Sequence, residues 1–185
     1  MTERFRPIAS YLKEAAGLIS NQFLEKYKHP VLLWPQAGHW LEDTAFQFET
    51  LSSEYREELP AAISPSTESQ IAKTVVVEIL KQASPAPTNM ICVGRAANND
   101  IVLANNTVSK LHTYFLVSEK GDSYDIVDAK STNGTMVNNK QLVAYKNQSL
   151  LNRDNIQFGP SIQMVYLTPQ GFYELLQKLH RSGLT

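Results

Sequence analysis

Residues 111–127 read LHTYFLVSEKGDSYDIV, two runs rich in β-branched and aromatic residues on either side of the polar turn Glu119-Lys120-Gly121-Asp122. Residues 111–118 and 123–127 therefore read as a β-hairpin. The same texture extends in both directions. Residues 74–80 (TVVVEIL), 90–93 and 101–103 precede the hairpin, and 135–137, 141–143, 149–151, 155–158 and 162–167 follow it. About ten to eleven short strands at regular spacing, joined by polar turns, predict a mainly β fold, a β-sandwich.

The ends of the chain differ from this middle. Between Pro7 and Lys28 the apolar residues Ile8, Leu12, Ala15, Ile19 and Phe23 recur every three or four positions, extended by Leu24 and Tyr27, which predicts one amphipathic helix closed by His29-Pro30. Residues 31–50 carry conflicting signals: a short apolar run at 31–34, interruptions at Pro35 and Gly38, and a stretch from Trp40 to Phe48 that fits helix or strand equally. Residues 52–70 are rich in Ser, Glu and Pro and read as a linker or surface segment. At the other end Thr168 is an expected N-cap with Pro169 at the first helical position, and Phe172, Leu175, Leu176 and Leu179 make a helical stripe that Gly183 ends. The expected organisation is a helical N-terminal region (1–51), a linker (52–71), a sandwich (72–168) and a C-terminal amphipathic helix (169–185).

A chain of 185 residues with 43% apolar content holds one domain plus an appendage. Its 17 basic and 18 acidic residues offer no electrostatic case for nucleic acid or an anionic membrane. The charge is unevenly distributed. Residues 1–71 carry 6 basic and 10 acidic side chains, residues 72–185 carry 11 and 8, so the C-terminal part is the better host for an anion. The lone Cys92, inside the apolar run 90–93, reads as a buried hydrophobe. No stretch approaches the roughly 18 apolar residues of a membrane span and the N-terminus lacks a signal-peptide core, so a cytoplasmic location is the expectation.

Three polar clusters stand at strand ends: Gly94-Arg95, Val108-Ser109-Lys110-Leu111-His112 and Ser131-Thr132-Asn133-Gly134-Thr135. A sandwich gathers its inter-strand loops at each end, so clusters this far apart in sequence can share one surface. Their residue types suit a phosphate ester. Arg95 offers a guanidinium fork, Ser109 a hydroxyl donor, and Asn133 a carboxamide that both donates and accepts along an extended peptide. Gly134 permits positive φ and keeps bulk away.

In order and register, these clusters together with Asn99-Asp100-Ile101-Val102-Leu103, Asp128, Val137-Asn138 and Asp154-Asn155-Ile156-Gln157-Phe158-Gly159 resemble the forkhead-associated (FHA) family of phosphothreonine-peptide readers, over about residues 72–168. The resemblance implies an FHA-type sandwich in which Arg95 and Ser109 ligate phosphate, Lys110 approaches phosphate or peptide backbone, and Thr132 and Asn133 hold the phosphothreonine and the residue after it. Gly94 and His112 are then scaffold, the histidine bracing the serine loop. Some members carry an Arg at the loop tip that selects an acidic residue three positions beyond the phosphothreonine; this chain has Asn106-Thr107, so that selection is not implied. The implied partner is a phosphothreonine-containing protein, the substrate of a Ser/Thr kinase, bound without catalysis, cofactor or metal.

Other readings are weaker. His39, His112 and His180 lack metal-ligand spacing, and a Ser109/His112/Asp128 triad lacks a nucleophile-elbow motif. A phosphorylation-independent scaffold or homodimer built on the two helical stripes is the alternative. The acidic run at residues 49–58 also suggests a segment able to compete for Arg95 and Lys110.

Overall fold

The computed structural model describes residues 5–35, 73–82 and 84–183. Expectations placed on Trp40 to Phe48, on His39, on the acidic run and on the linker lie outside the described residues. The chain divides into two compact units, one formed by the chain up to Glu78 and from Leu167 onward, the other by Ile79–Tyr166.

In the first unit β1 (Phe5–Pro7), β2 (Val31–Trp34) and β3 (Val75–Glu78) make an antiparallel ribbon in the order β1-β3-β2. The β-branched run VVVE suits the central place, and Val76 and Val77 are fully buried there. The helices of this unit are α1 (Ile8–Ala15), α2 (Ser20–Lys26) and α3 (Pro169–Arg181). Thr168 caps α3 as expected, its hydroxyl accepting from the Gly171 N–H at 3.1 Å, with Pro169 at the start. The stripe Phe172, Leu175, Leu176 and Leu179 is buried. Phe172 stacks edge-on against Tyr11 at 5.2 Å and Phe23 at 5.9 Å, so the stripes of the terminal helices cover one another within the chain.

The single helix expected from Pro7 to Lys28 is two. Helix α1 stops at Ala15, and α2 begins after Ile19, whose extended backbone (φ −76°, ψ 162°) serves as N-cap and whose N–H donates to Gln22 Oε1 at 3.3 Å. Gly17, the weakest helix former short of proline, lies in the break. The break turns Ile19 out to 65% exposure, although the sequence periodicity places it on the buried stripe.

The second unit is a sandwich. One sheet has the order β10-β7-β6-β4-β5, from β4 (Met90–Gly94), β5 (Ile101–Val102), β6 (Thr113–Val117), β7 (Tyr124–Asp128) and β10 (Gln148–Ser149). The other runs β12-β11-β8-β9, from β8 (Thr135–Val137), β9 (Lys140–Gln141), β11 (Asn155–Phe158) and β12 (Ile162–Leu167, leaving the unit at its last residue). Inner positions alternate as the pleat requires: Ile91, Phe115 and Ile126 from one sheet, Ile156, Phe158 and Met164 from the other, all at most 2% exposed. The predicted hairpin is present as β6–β7, closed by Gly121 at φ +73°. Cys92 is buried, as its apolar context indicates. Strands expected at 141–143 and 149–151 lie one position earlier or more, at Lys140–Gln141 and Gln148–Ser149. Val143 and Leu151, which drew those assignments toward them, are 61% and 56% exposed.

Buried carboxylates fix the loops of this sandwich. Asp100 accepts from the Cys92 N–H at 2.8 Å, the Gln82 N–H at 2.7 Å and the Ser84 hydroxyl at 2.6 Å, and pairs with Lys81 at 3.1 Å. Burial alone would raise its pKa, but the bonds from Ser84, Cys92, Gln82 and Lys81 outweigh it and hold the group at about 2. A carboxyl depressed in the folded state stabilises above its unfolded pKa of about 4, and that contribution is lost as pH falls toward the folded value. Asp100→Asn is therefore expected to destabilise the fold by about 2 kcal/mol at pH 7 and to flatten the loss of stability between about pH 4 and 2. Urea melts at stepped pH measure both.

Candidate functional site

β4 ends, β6 begins and β7 ends at the same edge of their sheet, because β6 runs antiparallel to both neighbours. Gly94-Arg95, Ser109-Lys110 and the segment after Asp128 therefore converge, as the sandwich topology leads one to expect. The convergence is pinned by backbone bonds. Arg95 N–H donates to Ser109 O at 3.0 Å, and Lys110 O accepts from Ala96 N–H at 3.2 Å and from Asn99 Nδ2 at 2.6 Å. A Cβ on Gly94 would stand 2.3 Å from that same Lys110 carbonyl oxygen, a backbone atom held from two sides. Gly94 is thus a residue of close approach.

The second cluster is organised by His112, which is fully buried. The Ser109 N–H donates to its Nδ1 at 3.0 Å, so Nδ1 carries no proton; Nε2 must then carry it and donate to Gly134 O at 3.1 Å. Burial lowers the pKa of this imidazole, against the opposing pull of the Gly134 carbonyl and Asp128. One neutral ring thus ties the serine loop to the loop of the third cluster. Across that tie Ser109 Oγ accepts from the Thr132 N–H at 3.0 Å and lies 3.3 Å from Thr132 Oγ1. The longer, exposed contact leaves the serine proton easy to redirect to an incoming oxygen.

The third cluster turns about Asp128, whose carboxylate accepts from Ser131 N–H at 2.9 Å, Ser131 Oγ at 2.6 Å and Thr135 Oγ1 at 2.6 Å. Burial would raise this carboxyl, and the bonds from Ser131 and Thr135 carry it below its ordinary value. Gly134 takes φ +75°, the left-handed conformation anticipated for it. Asn133 is exposed, and one of its amide N–H groups donates to Thr107 O at 2.7 Å. Thr107 is itself set by Asn105, whose Oδ1 accepts from the Thr107 N–H at 2.8 Å and hydroxyl at 2.7 Å, an Asx turn.

Arg95, Lys110, Thr132 and Asn133 are exposed, with Ser109 half-buried among them. Among the described residues neither Arg95 nor Lys110 enters an ion pair. Of the acidic residues in Ile79–Tyr166, Asp100, Asp128 and Asp154 are buried, so the surface of the unit is more basic than its sequence. Sequence reasoning did not single out Asn99 and Asn105 as loop braces. The spacing Asn105-x-Thr107 is a turn signal that could have pointed to the second of them. His112 spends both ring nitrogens on Ser109 N–H and Gly134 O, and Asp128 serves Ser131 and Thr135, so neither group is aimed at the Ser109 hydroxyl as a base relay. Among the described residues no group of three His, Cys, Asp or Glu side chains could hold a metal ion.

Residues 91–159 match the family model of the FHA domain. Over 75 residues the chain is 43% identical to the oxoglutarate dehydrogenase inhibitor of Corynebacterium jeikeium (strain K411), a match covering 40% of this chain and 47% of that protein. The chain thus spans about half the length of that curated relative. Among solved structures, Mycobacterium tuberculosis EmbR in complex with a low-affinity phosphopeptide is 26% identical, covering 45% of this chain and 21% of that one at a TM-score of 0.39. The N-terminal FHA domain of S. cerevisiae Rad53p in complex with a phosphothreonine peptide is 25% identical, covering 51% and 77% at a TM-score of 0.41. With the family's residues present in order over 91–159 and folded into one braced loop surface, this part of the chain is an FHA domain.

Proposed function

We propose that this chain is a phosphothreonine-dependent adaptor, binding a protein that a Ser/Thr kinase has modified. An FHA domain is a phosphopeptide-binding module rather than an enzyme. The observation that carries the reading is the pairing of Ser109 with Thr132, held from beneath by His112 and flanked by the exposed cations Arg95 and Lys110. A phosphate dianion supplies what this surface lacks: negative charge for the guanidinium and ammonium groups, and acceptors for the Ser109 and Thr132 hydroxyls.

Asn133 has one N–H engaged by Thr107 O, which leaves its carbonyl oxygen and second N–H for the backbone of an extended ligand. The loop tip at residues 105–107 presents neutral polar groups, which supports a ligand preference other than for Asp three positions beyond the phosphothreonine. The corynebacterial relative is named as an inhibitor of an enzyme, a role that binding alone can perform. We extend that class of role to this chain, as a regulator acting through capture of a phosphorylated protein. The alternative, dimerisation through the terminal helices, draws no support from their apolar faces, because Tyr11, Phe23 and Phe172 bury those faces against each other.

Titration of the full chain with an oriented phosphothreonine peptide library and its unphosphorylated counterpart tests the reading. Phosphorylated peptides should bind and unphosphorylated ones should not; equal affinity for the two removes the proposal. Arg95→Ala should weaken phosphopeptide binding by about 2–4 kcal/mol with the thermal midpoint unchanged, since the residue is exposed. Ser109→Ala removes a phosphate donor and also strands the Thr132 N–H, so a loss of about 1–3 kcal/mol is expected by calorimetry.

A further inference from the structure

The turn after β11 belongs to the sheet opposite Arg95 and Ser109, yet it reaches the same surface. Phe158 pairs with Thr135 on β8, which brings the next residue, Gly159, alongside Gly134. The Gly159 N–H donates to Gly134 O at 3.0 Å, the oxygen that also accepts from His112 Nε2. Its own carbonyl accepts from Gln157 Nε2 at 2.9 Å. Gly159 is buried with both of its polar groups engaged, so it has little freedom to retreat.

On its open side Gly159 faces the bridge between two site loops. A Cβ there would stand 3.0 Å from Thr107 O and 3.4 Å from Asn133 Cβ. The first distance is well inside the usual separation of non-bonded heavy atoms, about 3.5 Å. Thr107 O is the atom that accepts from Asn133 Nδ2 at 2.7 Å. Thr107 cannot yield freely, because Asn105 Oδ1 holds both its N–H and its hydroxyl. Asn133 is exposed, so an added carbon is accommodated most readily by turning that amide away and giving up the bridge. The φ of +60° at Gly159 is a separate constraint: it favours glycine through the backbone, whereas the approach of Thr107 and Asn133 acts through space.

We propose that Gly159 is a positioning residue for the phosphopeptide site: the space left by its missing side chain seats the Thr107–Asn133 bridge, which presents the Asn133 amide to the backbone of an extended ligand. The proposal rests on the reading of this surface as a phosphothreonine-peptide site. Buried beneath the bridge, Gly159 acts through Asn133 and leaves the phosphate to Arg95, Ser109 and Thr132.

Substitutions in the full chain separate space from backbone strain. Gly159→Asn adds a Cβ at a φ that asparagine takes with little strain, and Gly159→Ala adds it with strain. Gly121→Ala adds strain alone, since a Cβ at Gly121 (φ +73°) meets nothing within 4 Å. Both Gly159 variants should weaken calorimetric binding of a phosphothreonine peptide about fivefold, the worth of one hydrogen bond, and Gly121→Ala should leave it unchanged. The Asn133 side-chain amide signals of the free protein should move in both Gly159 variants and stay in place in Gly121→Ala. Binding of inorganic phosphate, read from the Ser109 amide signal, should be the same in every variant. In an Asn133→Ala background, Gly159→Asn should cost no further affinity. A general loosening of the fold would instead weaken phosphate and peptide together and add to the loss from Asn133→Ala. Unchanged peptide binding in both Gly159 variants, a parallel loss of phosphate binding, or an additive loss in the Asn133→Ala background would each overturn the proposal. If the unaltered chain binds no phosphothreonine peptide, the underlying reading falls and the proposal with it; if the unaltered chain and the Gly159 variants bind equally, that reading stands and the positioning role alone is removed.

Discussion

One neutral imidazole holds the candidate site together. His112 accepts the Ser109 N–H on Nδ1 and gives its Nε2 proton to Gly134 O, and those two loops carry the hydroxyls that meet at Ser109 and Thr132. Protonation of Nδ1 would set two donors face to face, so the geometry holds only while the ring stays neutral. Full burial provides that condition by penalising the charged form. The ring also leans on Phe158 in the opposite sheet at 6.1 Å, so the loop tie rests directly on the sandwich core.

Around this tie the unit places further polar groups in its interior and pairs them with one another. Thr135 Oγ1 gives its proton to Asp128, which leaves the Thr113 hydroxyl to donate to Thr135 at 2.7 Å. Asp154 accepts from Asn138 Nδ2 at 2.8 Å and Leu151 N–H at 2.7 Å, holding Asn138 at φ +50°. Each buried carboxylate fixes a loop by accepting backbone N–H groups that no strand pairs with. Because Asp100, Asp128 and Asp154 are consumed inside, the surface of the unit is left with an excess of bases. The basic character of the site thus follows from where the acids are buried more than from the count of lysines and arginines.

Much of the sandwich was legible in residue order. The hairpin at Gly121 and the strands at 90–94, 135–137, 155–158 and 162–167 follow from β-branched runs bounded by turn residues, signals that act over a few positions. Short edge strands were misplaced by one or two residues, because Val143 and Leu151 look like strand residues and are in fact exposed beyond strand ends. The break at Gly17 was hidden because the apolar spacing continues through it, and periodicity cannot register a change of axis. The strand Phe5–Pro7 carried no local signal at all; it exists because Val75–Glu78 offers a ladder to pair with.

The sequence by itself determined which residue types stand near the strand ends, with Arg95, Ser109, Lys110, Thr132 and Asn133 as candidates to serve a phosphate and Gly134 free to take positive φ. Donor chemistry, charge and backbone freedom belong to residue types and need no neighbours to be read. Tertiary structure decided how those residues are held. It set the tautomer of His112, the capture of Asn133 by Thr107 and the burial of three carboxylates. All three arise between segments distant in the chain, where hydrogen bonding and desolvation depend on which groups folding brings within reach.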